Sequence, residues 1–221
     1  MSVRTSHVVG RREVTLRLDH ATLPGLLAVP TDALGVVVFA HGSGSSRLSP
    51  RNVLVAELLN DGRVATLLFD LLTEAESADR RNVFDVELLA RRLVGATHWL
   101  EVQPDTRHIT TAYFGASTGA AAALWAAAEL PGQVQAVVSR GGRPDLAAER
   151  LPSVRAPTLL VVGGADDLVL ELNRQALDRL TCEAELHVVP GASHLFEEPG
   201  ALEEVAEHAL EWFTRHLPRS A

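Results

Sequence analysis

The stretch Gly115-Ala116-Ser117-Thr118-Gly119 lies between an apolar, β-rich run over residues 108–114 and an alanine-rich run over residues 120–130. This order predicts a strand that turns sharply into a helix at Ser117. Such a turn lifts the serine hydroxyl above the sheet, and only small residues two positions to either side let the strand and the helix approach closely. The stretch therefore predicts a serine nucleophile at a strand-to-helix joint.

A serine nucleophile needs a base, and His194 is the candidate that we favour. It lies in the turn 190–196, between a predicted strand and the last predicted helix. A loop at a strand end is where a base can lie over a nucleophile. The other histidines after Ser117 fall inside predicted regular elements: His187 in a strand, and His208 and His216 on an amphipathic helix.

The acid that orients this base is expected after the preceding predicted strand, residues 158–162. That strand ends at Gly163-Gly164, and Asp166 and Asp167 follow, so both are candidates. Whichever of the two does not orient the base would be solvated or would cap the next helix. Asp70 and Asp145 also follow predicted strands, but both lie before the position in the chain where the acid is expected.

An oxyanion formed at Ser117 requires two backbone N–H donors. The helix start supplies one of them, from Thr118. The apolar run 36–40 opens into the glycine-containing loop 41–46, where the backbone can approach a substrate carbonyl. We assign the second donor to the N–H of Ser43, with two neighbouring residues as alternatives: Gly42 and Gly44.

The same loop also admits a competing interpretation as a dinucleotide-binding turn. The pattern G-x-G-x-x-G would have to continue from Gly42 and Gly44 to a third glycine, but position 47 is Arg. An acidic residue about 20 positions further on is also required, and Asp70 lies beyond that distance. The sequence therefore favours the oxyanion-binding role.

Together these segments resemble the dienelactone-hydrolase-like branch of the α/β-hydrolases, over about residues 12–216. In such enzymes G-x-x-D is followed two residues later by an aliphatic residue, so the resemblance favours Asp166 over Asp167. It implies a triad of Ser117, Asp166 and His194 in a compact, largely lid-free site. Dienelactone hydrolase itself uses a cysteine nucleophile, whereas the sole cysteine here, Cys182, lies far from the turn.

We therefore expect a serine hydrolase that cleaves a small ester, lactone or thioester through an acyl-enzyme, without a cofactor. Two other classes stay open: an acyltransferase or perhydrolase that uses the same triad, and a non-catalytic binding protein of the same fold. Relatives of this kind also occur fused to phosphoribosyltransferase domains. We expect residues 1–221 to form a single α/β-hydrolase domain.

The remaining pattern predicts an α/β fold with a mostly parallel, doubly wound sheet and helices on both faces. Two early strands, near residues 14–18 and 23–29, predict an N-terminal antiparallel hairpin. Further strands are predicted near 35–40, 64–69, 108–114, 134–139, 158–162 and 184–189, and helices near 50–60, 80–100, 118–130, 168–180 and 200–216. Only residues 140–157 are available for a cap, which leaves room for a loop and one short helix, so we expect no large lid.

Three arginines fall in loops at the predicted active-site rim: Arg47, Arg140 and Arg143. A guanidinium suits a substrate carboxylate, so we hypothesise that the substrate is an acid that bears an ester or lactone, with Gly42 also in contact with it. The alternative is that these arginines form surface ion pairs with the acidic residues.

Composition narrows the function classes further. The net charge of −8 makes nucleic acid or an anionic membrane an unexpected partner. The 20 basic residues are all arginine, and without lysine neither Schiff-base chemistry nor Walker-A nucleotide binding is available. His194-x-x-Glu197 and His208-x-x-Glu211 do not extend to a zincin pattern, so no catalytic metal is expected. We expect a cytoplasmic protein, because the sequence has one cysteine and no recognisable signal peptide or membrane span. The sequence leaves open whether the protein forms a homodimer.

Overall fold

The computed structural model describes residues 9–217. Its strands are β1 (Val9–Leu18), β2 (Ala21–Pro30), β3 (Val36–Ala40), β4 (Ala65–Phe69), β5 (Thr111–Ala116), β6 (Val134–Arg140), β7 (Thr158–Gly163) and β8 (Ala184–Val189). They form one eight-stranded sheet in the order β1-β2-β4-β3-β5-β6-β7-β8. The strands β1 and β2 form an antiparallel hairpin, β2 also pairs antiparallel with β4, and the remaining pairs are parallel. The predicted hairpin and mostly parallel sheet are confirmed.

The helices are α1 (Pro50–Asp61), α2 (Glu74–Ser77), α3 (Arg80–Val83), α4 (Val86–Glu101), α5 (Thr118–Glu129), α6 (Asp167–Arg179) and α7 (Ala201–His216). Alternate residues of the central strands bury on opposite faces. Thus Val36 and Val38 belong to the core that includes residues of α4 and α5, whereas Val37 and Phe39 belong to the core that includes residues of α1 and α7. In the described chain, no helix combines the length and the apolar character needed to cross a bilayer.

The structure differs from the sequence-based prediction in how the region around residues 80–100 folds. One helix was predicted there, but α3 ends at Val83 and α4 begins at Val86. The Asp85 side chain accepts a hydrogen bond from the Leu88 N–H at 2.9 Å and so caps the second helix. The predicted strand 108–114 begins only at Thr111, because the Ile109 N–H closes a turn on the Thr106 carbonyl.

The segment between β6 and β7 contains two short 3-10 turns, Pro144–Ala147 and Leu151–Ser153. A loop with one short helix was predicted for this segment. Neither turn is long enough to cover the carboxyl ends of the strands. The expectation that no large lid is present is therefore confirmed.

Candidate active site

The strand-to-helix turn at Ser117 has a strained backbone. Ser117 adopts φ 52° and ψ −121°, which a residue with a side chain rarely adopts. A Cβ at Gly115 would lie 2.8 Å from the Ala120 nitrogen, and one at Gly119 would lie 2.6 Å from the His41 carbonyl oxygen. Both glycines are thus required by close backbone packing, and this packing keeps Ser117 at the carboxyl end of β5.

His194 and Asp166 form a direct contact at the same edge of the sheet. The distance between His194 Nδ1 and Asp166 Oδ2 is 2.6 Å. Asp166 lies at the start of α6, but its side chain makes no capping hydrogen bond, so its carboxylate is available to the imidazole. Asp167, the alternative, is the first residue of α6.

A cavity of about 230 Å³ contains both the candidate nucleophile and the candidate base on its wall. Within residues 9–217 no hydrogen bond joins the Ser117 hydroxyl to His194, although both side chains line this space. Such bonds are often long in ligand-free enzymes and shorten when substrate binds. The arrangement brings together the three residues that sequence reasoning grouped as a triad.

The loop after β3 lies directly beside Ser117. A Cβ at Gly42 would lie 3.1 Å from the Ser117 Cβ, so only glycine leaves ordinary space there. The Ser43 N–H donates to Thr118 Oγ1 at 3.0 Å. For this N–H to bind an oxyanion, the Thr118 hydroxyl must rotate away. The Thr118 N–H is in the first turn of α5, where backbone donors have no partner within the helix.

His41 fixes this loop to the segment that follows β4. Its Nε2 accepts a hydrogen bond from the Leu71 N–H at 3.1 Å, and its Nδ1 lies 3.1 Å from the Gly42 carbonyl oxygen. One ring nitrogen must therefore accept while the other donates, which is the pattern of a neutral imidazole. Burial lowers the pKa of His41 below its ordinary value of 6.5, against the smaller opposing effects of the Gly42 carbonyl and Asp70.

The three rim arginines have different surroundings. Arg47 is paired with Asp70 through both its backbone N–H, at 2.7 Å, and its guanidinium. Arg143 forms two parallel hydrogen bonds with Asp145, at 2.8 and 2.7 Å. Neither is among the residues that line the cavity at Ser117. These pairs match the ion-pairing alternative for Arg47 and Arg143.

Arg140, in contrast, lines the Ser117 cavity and is only 8% exposed. Its Nη2 lies 3.5 Å from Asn52 Oδ1, while its buried Nε and Nη1 have no hydrogen-bond partner among the described residues. Burial, and secondarily the nearby charge of Arg51, lower the pKa of Arg140 to about 10, so it remains protonated at neutral pH. A buried cation without an anionic partner is destabilising, and a bound anion would offset that cost.

Sequence reasoning did not identify Arg51 and Asn52, which line the same cavity from the start of α1. No sequence motif contains these two residues, and their partners Arg140 and Glu197 are distant from them in the sequence. Arg51 is paired with Glu197 at 3.5 Å, so the positive charge of this cavity that lacks an anionic partner among the described residues is that of Arg140.

A second cavity, of about 440 Å³, adjoins the first at the loop after β3. It extends between that loop and the α2–α4 region. Its apolar lining consists of Leu71, Leu72, Val83 and Leu89. The site thus combines a small cationic cavity at Ser117 with a larger, partly apolar space beside it.

Comparison with known proteins places this geometry among hydrolases. The model of the dienelactone hydrolase family matches residues 23–217. A crystal structure of dienelactone hydrolase from Anabaena variabilis is 55% identical in sequence and superposes with a TM-score of 0.93, covering 96% of this chain and 100% of that one. Est1E from Butyrivibrio proteoclasticus superposes with a TM-score of 0.80 over 92% of this chain and 98% of that one, but at 16% identity it shows the fold alone.

One curated relative, from Mycobacterium tuberculosis, has a name that proposes a phosphoribosyl transferase. It is 58% identical over 205 residues, which make up 93% of this chain and 46% of that protein. The chain therefore spans about half the length of this relative.

Proposed function

Because the chain belongs to the dienelactone hydrolase family, we propose that it is a serine hydrolase that cleaves a small anionic ester, lactone or thioester through an acyl-enzyme. Family membership supports ester hydrolysis in general. The observation that carries the finer proposal is the 2.6 Å contact between His194 and Asp166, with His194 and Ser117 on the wall of one cavity. A complete set of nucleophile, base and orienting acid is more than a binding protein needs.

In this mechanism His194 Nε2 takes the proton of the Ser117 hydroxyl as Oγ bonds to the substrate carbonyl carbon. Asp166 accepts the Nδ1–H, which fixes the tautomer and stabilises the imidazolium. The N–H groups of Thr118 and Ser43 bind the oxyanion, once the Thr118 hydroxyl releases the second of them. The bond from the acyl carbon to the leaving group then breaks, at oxygen in an ester or lactone and at sulfur in a thioester, and His194 gives its proton to that atom.

The acyl-enzyme is resolved by water. His194 takes a proton from the water as its oxygen attacks the acyl carbon, and a second oxyanion forms in the same place. The bond to Ser117 Oγ then breaks, Oγ regains its proton from His194, and the acid is released. The small cavity favours a short acyl group, and the buried guanidinium of Arg140 favours one that carries a carboxylate.

The nucleophile assignment is tested with p-nitrophenyl acetate and the monoester of succinate with p-nitrophenol. Ser117→Ala is expected to lower kcat/KM for both by about 10³-fold or more, because no other hydroxyl replaces the attacking atom. Far-UV circular dichroism checks that the variant is folded. Hydrolysis at the wild-type rate by the folded variant would show that Ser117 is not the nucleophile.

The anion preference is tested by comparing the same neutral and carboxylated esters in Arg140→Met, which keeps an apolar stem of similar length. We expect KM for the carboxylated ester to rise by about tenfold or more while that for the acetate changes little. Arg143→Met is the matched control, since that guanidinium is paired with Asp145. An equal loss on both esters would mean that Arg140 supports the fold of the site and does not select the substrate.

A further inference from the structure

Strand β8 and helix α7 bring together three potential metal ligands outside the Ser117 cavity: His187, Glu204 and His208. One ligand atom from each lies within 4.8 Å of the others. His187 Nε2 is 2.7 Å from Glu204 Oε1, and the ring centroids of the two histidines are 3.7 Å apart. All three side chains are partly buried. The proposed hydrolytic mechanism uses none of them.

The two elements hold these side chains together for a simple reason. Glu204 and His208 are four residues apart on α7, so they lie one above the other on the same helix face. His187 lies in the middle of the edge strand β8 and reaches that face. Because all three residues belong to regular elements, their Cα positions are fixed by the fold.

The chemistry of this set fits a transition-metal ion. Imidazole nitrogen and carboxylate oxygen bind Zn²⁺ at about 2.0–2.2 Å, so ligand atoms in a tetrahedral site are about 3.3–3.5 Å apart. In the structure His187 Nε2 and Glu204 Oε1 are 2.7 Å apart, and the three ligand atoms all lie within 4.8 Å of one another. The spacing that a tetrahedral site requires falls between these two distances. Small rotations of the side chains would therefore convert the hydrogen-bonded cluster into a coordination site with water as a fourth ligand.

We propose that His187, Glu204 and His208 form a binding site for a divalent transition-metal ion of the Zn²⁺ class. The site has a structural consequence for the active site. His187 precedes the loop 190–200 and Glu204 follows it, and His194 lies within that loop. A metal ion bound by these residues links β8 to α7 and so fixes both ends of the segment that carries the candidate base.

The test is isothermal titration of metal-free, tag-free protein with Zn²⁺. We expect one ion per chain in the wild type, and affinity about tenfold or more weaker in each of His187→Gln, Glu204→Gln and His208→Gln. Glu204→Gln keeps the size and hydrogen-bonding capacity of the side chain but removes its charge. His98→Gln, at an exposed histidine of α4, is the matched control and should bind as the wild type does.

A second readout separates coordination from hydrogen bonding. Zn²⁺ should raise the Tm of the wild type and of His98→Gln, but raise that of His208→Gln much less. His194→Gln should behave as the wild type does, since His194 is not one of the ligands. The proposal is overturned if the wild type binds no Zn²⁺, or if His187→Gln and His208→Gln keep wild-type affinity. It is equally overturned if binding is lost in His194→Gln, because the ion would then occupy the candidate active site. These outcomes do not depend on whether the protein hydrolyses esters.

Discussion

At the scale of single residues, the backbone conformation of Ser117, the candidate nucleophile, carries a cost in free energy. A side chain at φ 52° and ψ −121° is strained, and such strain costs about 1–3 kcal/mol. It persists because Gly115 and Gly119 let the strand, the helix and the end of β3 pack closely around the turn. The close packing of these segments therefore maintains the strain at Ser117.

This strain predicts an unusual order of stability among Ser117 variants. Ser117→Gly relieves it, whereas Ser117→Ala keeps a Cβ and therefore keeps the strain. We expect the glycine variant to be more stable than the alanine variant by about 1 kcal/mol, measured as the free energy of unfolding in urea.

Ser153 provides the matched control, because it is not among the described residues with positive φ. At Ser153 the alanine variant should be more stable than the glycine variant, since glycine at an ordinary φ adds flexibility to the unfolded chain. If Ser117→Ala were as stable as Ser117→Gly, the turn would not be strained.

Residue types were easier to predict from the sequence than their partners. The arginines at positions 47, 140 and 143 were all predicted near the rim, but only Arg140 lines the Ser117 cavity. Arg47 is paired with an aspartate 23 residues away, and Arg140 faces an asparagine 88 residues away. Such distant pairings depend on the packing of separate elements, which local patterns do not encode.

At the scale of elements, His41 couples the loop after β3 to the segment after β4. Its neutral ring accepts from the Leu71 N–H, and burial is the main reason that its pKa is lowered from 6.5. The pH dependence of the free energy of unfolding follows from the number of protons that the folded and unfolded chains bind at His41. Below about pH 6.5 the unfolded chain binds a proton at this residue that the folded chain does not, so acidification towards the folded pKa destabilises the fold.

We expect His41→Gln to be less stable than the wild type at about pH 7.5, by about 1–3 kcal/mol. Its loss of stability between about pH 7 and pH 5 should be smaller, because the buried imidazole no longer contributes. Urea unfolding at several pH values measures both quantities. His98→Gln, at an exposed position, should retain the wild-type slope, and an unchanged slope in His41→Gln would contradict the prediction.

Helices and strands were predicted correctly where the sequence pattern that marks them is contained in a short stretch of the chain. The five residues around Ser117 contain the whole turn, and the alternation of Val14, Leu16 and Leu18 marks the first strand. The break between α3 and α4 was missed because apolar residues continue across it, so periodicity alone predicts one helix. The cap at Asp85 interrupts that helix.

At the scale of the whole molecule, one sheet positions every candidate catalytic segment. The loops after β3, β5, β7 and β8 meet at the carboxyl ends of parallel strands, which is where α/β sheets place their sites. This convergence could be predicted from the order of the elements. The cluster of His187, Glu204 and His208 could not, because it joins a strand to a helix face 17 residues further on.

The sheet also predicts how the molecule unfolds. Leu16 is buried in the core on the α4 and α5 face, and Phe213 in the core on the α1 and α7 face. Since both cores pack against the same strands, neither can be lost without disrupting the other. We expect Leu16→Ala and Phe213→Ala each to lower stability by about 2–5 kcal/mol in a single transition.

The measurement is urea unfolding followed by far-UV circular dichroism and by tryptophan fluorescence. Trp212 reports on the α1 and α7 face, and Trp99 and Trp125 report on the α4 and α5 face. Coincident curves for both probes in both variants are the expected result, because one shared sheet makes the two cores cooperative. If Phe213→Ala separated the two curves, the α7 face would unfold on its own, and the prediction that the chain forms a single domain would fail.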